Sequence, residues 1–489
     1  MKRNIIVLLL ATMLFSCTTS VQNTEHINEY PKIYPDYIGV TIPVNIAPMD
    51  FSLMSDDYDC VDVVIKGSKE GEIHSNGEIV DFDIEEWHTL CEKNKGGTLS
   101  FTVCVEKEGK WIQYKDFTMN VSDYALDEWG LTYRRIAPGY ALFSHMGLYQ
   151  RDLSTFDEYE IIDNNRTPDA CINCHTSNKT DPKEFLFHVR GSNGATMLQK
   201  KGSMEALNTK TDATLGSCVY PYWHKDGRYV VFSTNTTSQN FHVTKDERIE
   251  VFDYASDLQV YDTEKHELLL SPLVTKPDFN ETFPAFSSDG KTIYFCSTVK
   301  RMYPRDYKIV RYNLYSIDFD AQKGVYGDSV KTIIDAEADS MSISIPKPSY
   351  DGKYIMYTLT NYGTFPIWHK EANLWLLDLK TGEKRAMDEV NSDDTESYHN
   401  WSANSHWFVF SSRRDDGLYT RLYLSCIDEN GKATKPFMLP QKNPRHYYER
   451  LMYSYNVPDF TKTKVEIDSK ATANAILSPV RQGISARRQ

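Results

Sequence analysis

One sequence pattern occurs in three clear copies and one weaker copy over the second half of the chain. Each copy joins an aromatic strand-like run to an apolar one through a turn at Asp226, Asp289, Asp351 or Asn404, spaced 63, 62 and 53 residues apart. Glycine follows the aspartate in the first three turns and adopts positive φ without steric cost. A unit of this kind cannot bury both faces alone, so several must pack around an axis, as the blades of a β-propeller do.

The copies resemble the repeats of the TolB-like β-propeller family over residues 218–440. The resemblance lies in the order Pro, aromatic, Ser, Asp-Gly and aromatic, as in Phe283-Pro284-Ala285-Phe286-Ser287-Ser288-Asp289-Gly290. It implies a propeller, and such propellers often have six blades. Weaker strand pairs at 140–152 and 184–198 predict two degenerate blades, and a strand at 452–458 would complete the ring. Only the repeats match, so the role of TolB and its partner is not carried over.

Between the two degenerate blades lies Cys171-Ile172-Asn173-Cys174-His175, which has the spacing of a c-type haem attachment site. The thiols of Cys171 and Cys174 can form thioethers with the porphyrin, and His175 can be the proximal iron ligand. We therefore expect haem c in a loop inserted between blades. A redox or structural disulfide stays open, as does a zinc site completed by His188.

A low-spin haem needs a sixth ligand, and His145, Met146 and His188 are the candidates nearest in sequence. We expect electron transfer or another haem-based redox role, with the propeller docking a redox or envelope protein. The alternative is a non-catalytic TolB-like scaffold that binds envelope proteins or glycans, in which Cys-x-x-Cys-His is structural. The sequence contains no Gly-x-Ser-x-Gly element, dinucleotide fingerprint or phosphate loop, so an electron carrier or binding protein is favoured over a hydrolase.

The N-terminus predicts export. Lys2 and Arg3 precede an apolar run that is too short to span a bilayer, as in a signal peptide. Leu14-Phe15-Ser16-Cys17 resembles a lipobox, which implies lipid attached to Cys17. We expect a lipid-anchored envelope protein, with the periplasmic side of the outer membrane favoured. The net charge of −14 and the lack of clustered Lys and Arg exclude nucleic-acid binding.

Alternating apolar segments near the N-terminus, such as Val61 to Ile65 and Thr98 to Val105, predict a small immunoglobulin-like β-sandwich. The chain as a whole is expected to be all-β. We divide it into a signal peptide (1–16), a tether (17–32), the sandwich (33–122), the haem-motif region with the degenerate blades (123–217), the four clear blades (218–440) and a C-terminal segment that closes the ring (441–489).

Overall fold

The computed structural model describes residues 21–137, 145–242 and 249–489. The expected signal peptide and the lipid-modified Cys17 lie outside these residues. The N-terminal domain contains a branched seven-stranded sheet, a two-stranded ribbon formed by its second and fourth strands, and one helix. Its elements are β1 (Glu25–His26), β2 (Ile33–Tyr34), β3 (Thr41–Ile42), β4 (Ser52–Leu53), β5 (Cys60–Gly67), β6 (Glu72–Gly77), α1 (Ile84–Lys93), β7 (Thr98–Lys107), β8 (Lys110–Gln113) and β9 (Phe117–Val121).

The predicted immunoglobulin-like sandwich is not confirmed, because a helix packs where a second large sheet would lie. Asp83 caps α1 by accepting hydrogen bonds from the first-turn amides. Trp87, Leu90 and Cys91, spaced at i, i+3 and i+4, form the buried face of the helix. This helical spacing gives no strand-like alternation, and α1 contacts β5 and β6.

The rest of the chain forms six blades around a central channel. The strands of blades 1 to 3 are β10 (Gly130–Ile136), β11 (Met146–Asp152), β12 (Glu158–Asp163); β13 (Ala170–Asn178), β14 (Asp181–Gly191), β15 (Ala195–Lys200), β16 (Ser203–Asn208); β17 (Cys218–Trp223), β18 (Tyr229–Phe241), β19 (Ile249–Asp262) and β20 (Glu267–Leu270). Blades 4 to 6 contain β21 (Phe279–Phe286), β22 (Thr292–Val299), β23 (Asn313–Asp320), β24 (Val325–Ile334); β25 (Ser342–Pro348), β26 (Tyr354–Thr360), β27 (Asn373–Asp378), β28 (Lys384–Ala386); β29 (Glu396–Trp401), β30 (Trp407–Ser412), β31 (Arg421–Cys426) and β32 (Phe437–Met438).

The C-terminal part closes the ring. It contains α2 (Pro444–Arg450), β33 (Ser454–Thr461), α3 (Ser469–Leu477), β34 (Gln482–Gly483) and β35 (Ser485–Arg488). Strand β33 pairs antiparallel with β10 and becomes the inner strand of blade 1. The two last strands pair in parallel with the outer strands β16 and β20, which covers those sheet edges. The prediction of a six-bladed propeller is therefore confirmed.

The prediction that the Cys-x-x-Cys-His motif lies in an inserted loop is wrong. The whole motif lies in β13, the inner strand of blade 2. Ile172 pairs with Val189 of β14, and both side chains are fully buried in the core of the blade. The apolar residue inside the motif therefore anchors it in the sheet, where a loop would leave that residue exposed.

The N-terminal domain docks on blade 6 through a shared hydrophobic core. Trp407 Nε1 donates to the carbonyl of Tyr124 at 3.2 Å, and Asn404 Nδ2 donates to the carbonyl of Ala125 at 2.6 Å. The fourth turn therefore has an asparagine, in place of the aspartate of the other three turns, and this asparagine contacts another domain. Among the helices of the described residues, none is long and apolar enough to cross a membrane.

Candidate functional site: the central channel

Every inner strand has the same bulge where it crosses the channel. At the bulge, two residues of the inner strand have no paired residue on the next strand. The first of these two has a φ between 48° and 52° in all six blades: Cys174, Tyr220, Phe283, Ile345, Tyr398 and Val457. Such left-handed backbone costs an L-residue roughly 1 kcal/mol. The second residue is proline in four blades (Pro221, Pro284, Pro346, Pro458) and histidine in two (His175, His399). The pair Cys174-His175 is thus the blade 2 copy of a sixfold repeated element.

The two histidines of this repeat make corresponding contacts. His175 Nε2 hydrogen-bonds Thr132 Oγ1 at 3.1 Å on blade 1, and His399 Nε2 donates to the carbonyl of Met356 at 2.9 Å on blade 5. Their exposed fractions are 3% and 1%. Burial lowers the pKa of each imidazole to about 3, so both are neutral at pH 7. Both Nδ1 atoms are buried and have no hydrogen-bond partner among the described residues.

The described conformation does not fit a haem at the predicted attachment residues. Cys174 is buried, and the Nε2 atom of His175 is already engaged by Thr132. The cavity beside them has a volume of about 70 Å³, far below the roughly 300–1,000 Å³ of pockets that enclose a large ligand. The thiols of Cys171 and Cys174 are free, and burial raises the pKa of Cys174. Within the described residues, no three His, Cys, Asp or Glu side chains are grouped to hold a metal ion.

Of the three proposed distal ligands, the two histidines have other partners and the methionine lies in another blade. His188 lies opposite Asn173 in the ladder, and its Nδ1 is 3.3 Å from Thr196 Oγ1. His145 Nε2 lies 2.9 Å from Asp163 Oδ2. Met146 is buried at the start of β11, two strands away from the inner strand of blade 1. The structure therefore brings only His188 into the same strand pair as the motif.

The channel contains a polar network that was not predicted from the sequence. Asp459 Oδ1 accepts from Asn400 Nδ2 at 2.7 Å, and Oδ2 accepts from the amide of Ser177 at 3.0 Å. Burial raises the pKa of Asp459 to about 6 and lowers that of Lys347. The Lys347 ammonium lies 5.0 Å from the ring centre of Tyr222. The signal was available, because Lys347, Asn400 and Asp459 each stand two residues after the bulge residue of their blade.

The channel continues toward the end where the inner strands finish, which we call the lower end. A second cavity of about 230 Å³ opens there, and it shares Thr176, Lys347 and Asn400 with the central one. Aromatic side chains of Tyr222 and Tyr350 line this mouth. The two cavities together form a concave site with an apolar wall and a few fixed polar groups, which is the usual composition of a ligand site.

Neither a protein-family model nor a curated protein matches this sequence. Among solved structures, the chain is similar to the β-propeller domain of the Trilobed protease from Pyrococcus furiosus (13% identity, TM-score 0.33, 71% of this chain and 95% of that one). It is also similar to the periplasmic gluconolactonase PpgL of Pseudomonas aeruginosa (12%, 0.35, 68% and 99%) and to apo prolyl oligopeptidase B from Galerina marginata (12%, 0.36, 81% and 54%).

The chain spans about half the length of the first peptidases it matches, 44%, 52% and 42%. Likenesses as weak as these carry no argument about function. The fold assignment rests on the six sheets of the chain itself and on the strand that closes them. By that architecture, this protein is an all-β protein with a six-bladed β-propeller.

Proposed function

We propose that this chain is a non-catalytic binding protein whose ligand site is the central channel of the propeller. The observation that carries the proposal is a set of buried atoms on cavity-lining residues that have no hydrogen-bond partner among the described residues: Asn173 Oδ1, His175 Nδ1 and His399 Nδ1. Each such atom costs roughly 1–3 kcal/mol when it stays unpaired. A polar ligand that pairs with them would recover that free energy.

The backbone around the channel supports the same proposal. Six left-handed residues surround one cavity, and strained residues of this kind concentrate at binding and catalytic sites. The bulge aims the residues beside it into the channel, including Thr176 and Lys347. Residues of all six inner strands line the cavity, so the site is built on sheet strands and not on loops.

Filling the channel tests the proposal. Pro284→Phe adds an aromatic ring at a position where blades 2 and 6 already have imidazoles, so the fold is expected to tolerate it. We would screen a mixture of small neutral, cationic and anionic polar compounds by ligand-observed NMR, with the exposed Val480→Phe as the control. Compounds that bind the wild type and Val480→Phe but not Pro284→Phe support the proposal. Binding that survives in Pro284→Phe, or no binding at all, contradicts it.

Covalent haem with electron transfer is the competing hypothesis to this proposal, and it rests on the motif spacing alone. It would require the Cys171–His175 segment to leave the position described for β13, since Cys174 and His175 are both buried there. Lipid anchoring at Cys17 likewise stays a proposal, and it would place the binding propeller on a membrane surface. Metabolic labelling with a fatty acid, compared between the wild type and Cys17→Ser, tests the anchor.

A further inference from the structure

The unpartnered atoms of the central cavity are all hydrogen-bond acceptors. Asn173 Oδ1 is an amide carbonyl oxygen, which can only accept. His399 Nε2 lies 2.9 Å from the carbonyl oxygen of Met356 and must donate to it, so the proton of the ring is on Nε2. Because burial lowers the pKa of His399 to about 3, the ring is neutral and its Nδ1 carries a lone pair.

The tautomer of His175 follows from its neighbour Thr132. The hydroxyl of Thr132 donates its one proton to the carbonyl of Asp459, with an oxygen–oxygen distance of 3.5 Å. Thr132 Oγ1 therefore accepts from His175 Nε2, which lies 3.1 Å away, and Nδ1 of this neutral ring is again an acceptor. All three acceptor atoms are buried on residues that line one cavity, so a ligand that pairs with them must donate hydrogen bonds.

Lysine side chains oppose a donor that carries positive charge. Lys347 lines both the central and the lower cavity, and Lys179 and Lys225 line the lower one. No Asp or Glu of the described residues lines the lower cavity. In the central cavity, the carboxylate of Asp459 already accepts from Asn400 Nδ2 and from a backbone amide. A cationic ligand would therefore enter the channel against the field of these ammonium groups.

A carboxylate does not match the site either, because its oxygens only accept and would leave the three buried acceptors unpaired. A hydroxyl group both donates and accepts without carrying a charge. Hydroxyls can therefore donate to the two imidazoles and the amide oxygen and also accept from Lys347, which lines the same cavity. The rings of Tyr222 and Tyr350 at the lower mouth supply apolar surface for a carbon skeleton.

We propose that the channel binds a small neutral polyhydroxy compound, a monosaccharide or its open-chain polyol, whose hydroxyls donate to His175, His399 and Asn173. The proposal rests on the proposed function and names the chemical class of its ligand. The lower cavity of about 230 Å³ is smaller than the roughly 300 Å³ at which pockets for drug-sized ligands begin, so it suits a ligand of one sugar ring. The central cavity of about 70 Å³ then takes the end of the ligand whose hydroxyls donate.

Calorimetric titration of the full chain with matched sugars tests this class. The neutral probes are glucose, galactose and mannose with their open-chain alditols. The 2-amino sugar and the uronate of each hexose add a positive or a negative charge to the same ring. We expect at least one neutral probe to bind, and its amino sugar and uronate to bind at least tenfold more weakly.

A substitution in the cavity tests the role of the acceptors. Asn173→Leu keeps the approximate size of the side chain without its acceptor and should weaken binding of the neutral probe about fivefold. The control Asn430→Leu, at an exposed turn of blade 6, should change it less than twofold. If Asn173→Leu does not fold, His399→Pro removes one acceptor and introduces the proline that four blades have at this position. Binding within twofold of wild type in the folded variant overturns the proposal.

The charged sugars separate this inference from the proposed function. Amino sugars or uronates that bind as tightly as the neutral sugars, and lose binding in Pro284→Phe, overturn the neutral class but leave the channel as a ligand site. Absence of binding by every neutral probe overturns the inference as well. The proposed function then still depends on whether other compounds bind the wild type and not Pro284→Phe.

Discussion

Position 175 shows how one residue supports two interpretations. In the sequence, His175 follows two cysteines and fits a haem ligand. In the fold it occupies the bulge position that proline takes in four blades and histidine in one other. Aligning Cys174-His175 with Tyr398-His399 would have predicted the strand, but the motif contains no Asp-Gly turn close by to set that alignment.

We expect His175→Pro to fold, with a loss of about 1–3 kcal/mol in the free energy of unfolding, because the hydrogen bond to Thr132 and the ring contact with Phe185 disappear. Proline at the neighbouring ladder position, Ile172→Pro, should cost clearly more, since it removes a strand N–H and a buried side chain. Urea denaturation of both variants measures the difference. Equal losses would mean that position 175 is not a repeat of the proline positions.

The acid sensitivity of the protein should depend on the same histidine. Its folded pKa of about 3 lies below the unfolded value of roughly 6.5, so the stability that neutral His175 contributes is complete above pH 6.5 and declines as the pH falls toward 3. At pH 5 the loss is roughly 2 kcal/mol. The stability gap between wild type and His175→Pro should therefore narrow by about that amount from pH 8 to pH 5. A constant gap in urea denaturation at the two pH values would contradict the burial of a neutral imidazole.

Among the elements, the hairpin of β18 and β19 extends well beyond its blade, with strands of 13 and 14 residues. Glu250 fastens it to the insertion after β26: its Oε2 accepts from the Tyr362 hydroxyl at 3.1 Å, and its Oε1 lies 3.3 Å from His369 Nε2. The carboxylate is buried. Losing these bonds costs roughly 1–3 kcal/mol, concentrated in the hairpin.

Glu250→Ala should therefore speed amide hydrogen exchange at residues 249–255 about tenfold or more, while exchange in β13 stays unchanged. The control Glu264→Ala removes a half-exposed carboxylate from the adjacent turn and should leave exchange in the hairpin unaltered. Uniformly faster exchange in all blades of Glu250→Ala would show that the contact supports the whole ring.

Sequence patterns predict an element well when its partners are local. The three Asp-Gly turns and the weaker turn at Asn404 join strands that pair with each other, and blades 3 to 6 follow from them. Blade 1 takes its inner strand from residues 454–461, far from β10 along the chain. The sequence predicted that a strand at 452–458 completes the ring, but no local pattern encodes its pairing with β10. Helix α1 was not predicted, because its region was assigned to strands from the alternation on either side of it.

The molecule as a whole depends on the strand that closes the ring. Deleting residues 452–489 removes β33, exposes the edge of β10 and removes Asp459 from the channel, so we expect loss of cooperative unfolding. Deleting only 482–489 removes β34 and β35 and should lower the Tm by a few degrees while leaving one transition. Calorimetry distinguishes the two. A cooperative transition in the longer deletion would contradict closure by β33.

The most direct test concerns the Cys171–His175 segment, which the account places as an inner propeller strand facing a binding channel. The full chain would be produced in a host with active cytochrome c maturation, beside a known c-type cytochrome as a positive control, and its intact mass and visible spectrum measured. We predict protein without covalent haem, with a Cys174 thiol that reacts with alkylating reagents only after unfolding, because that thiol is buried in the folded chain. Haem linked through Cys171 and Cys174 would contradict it.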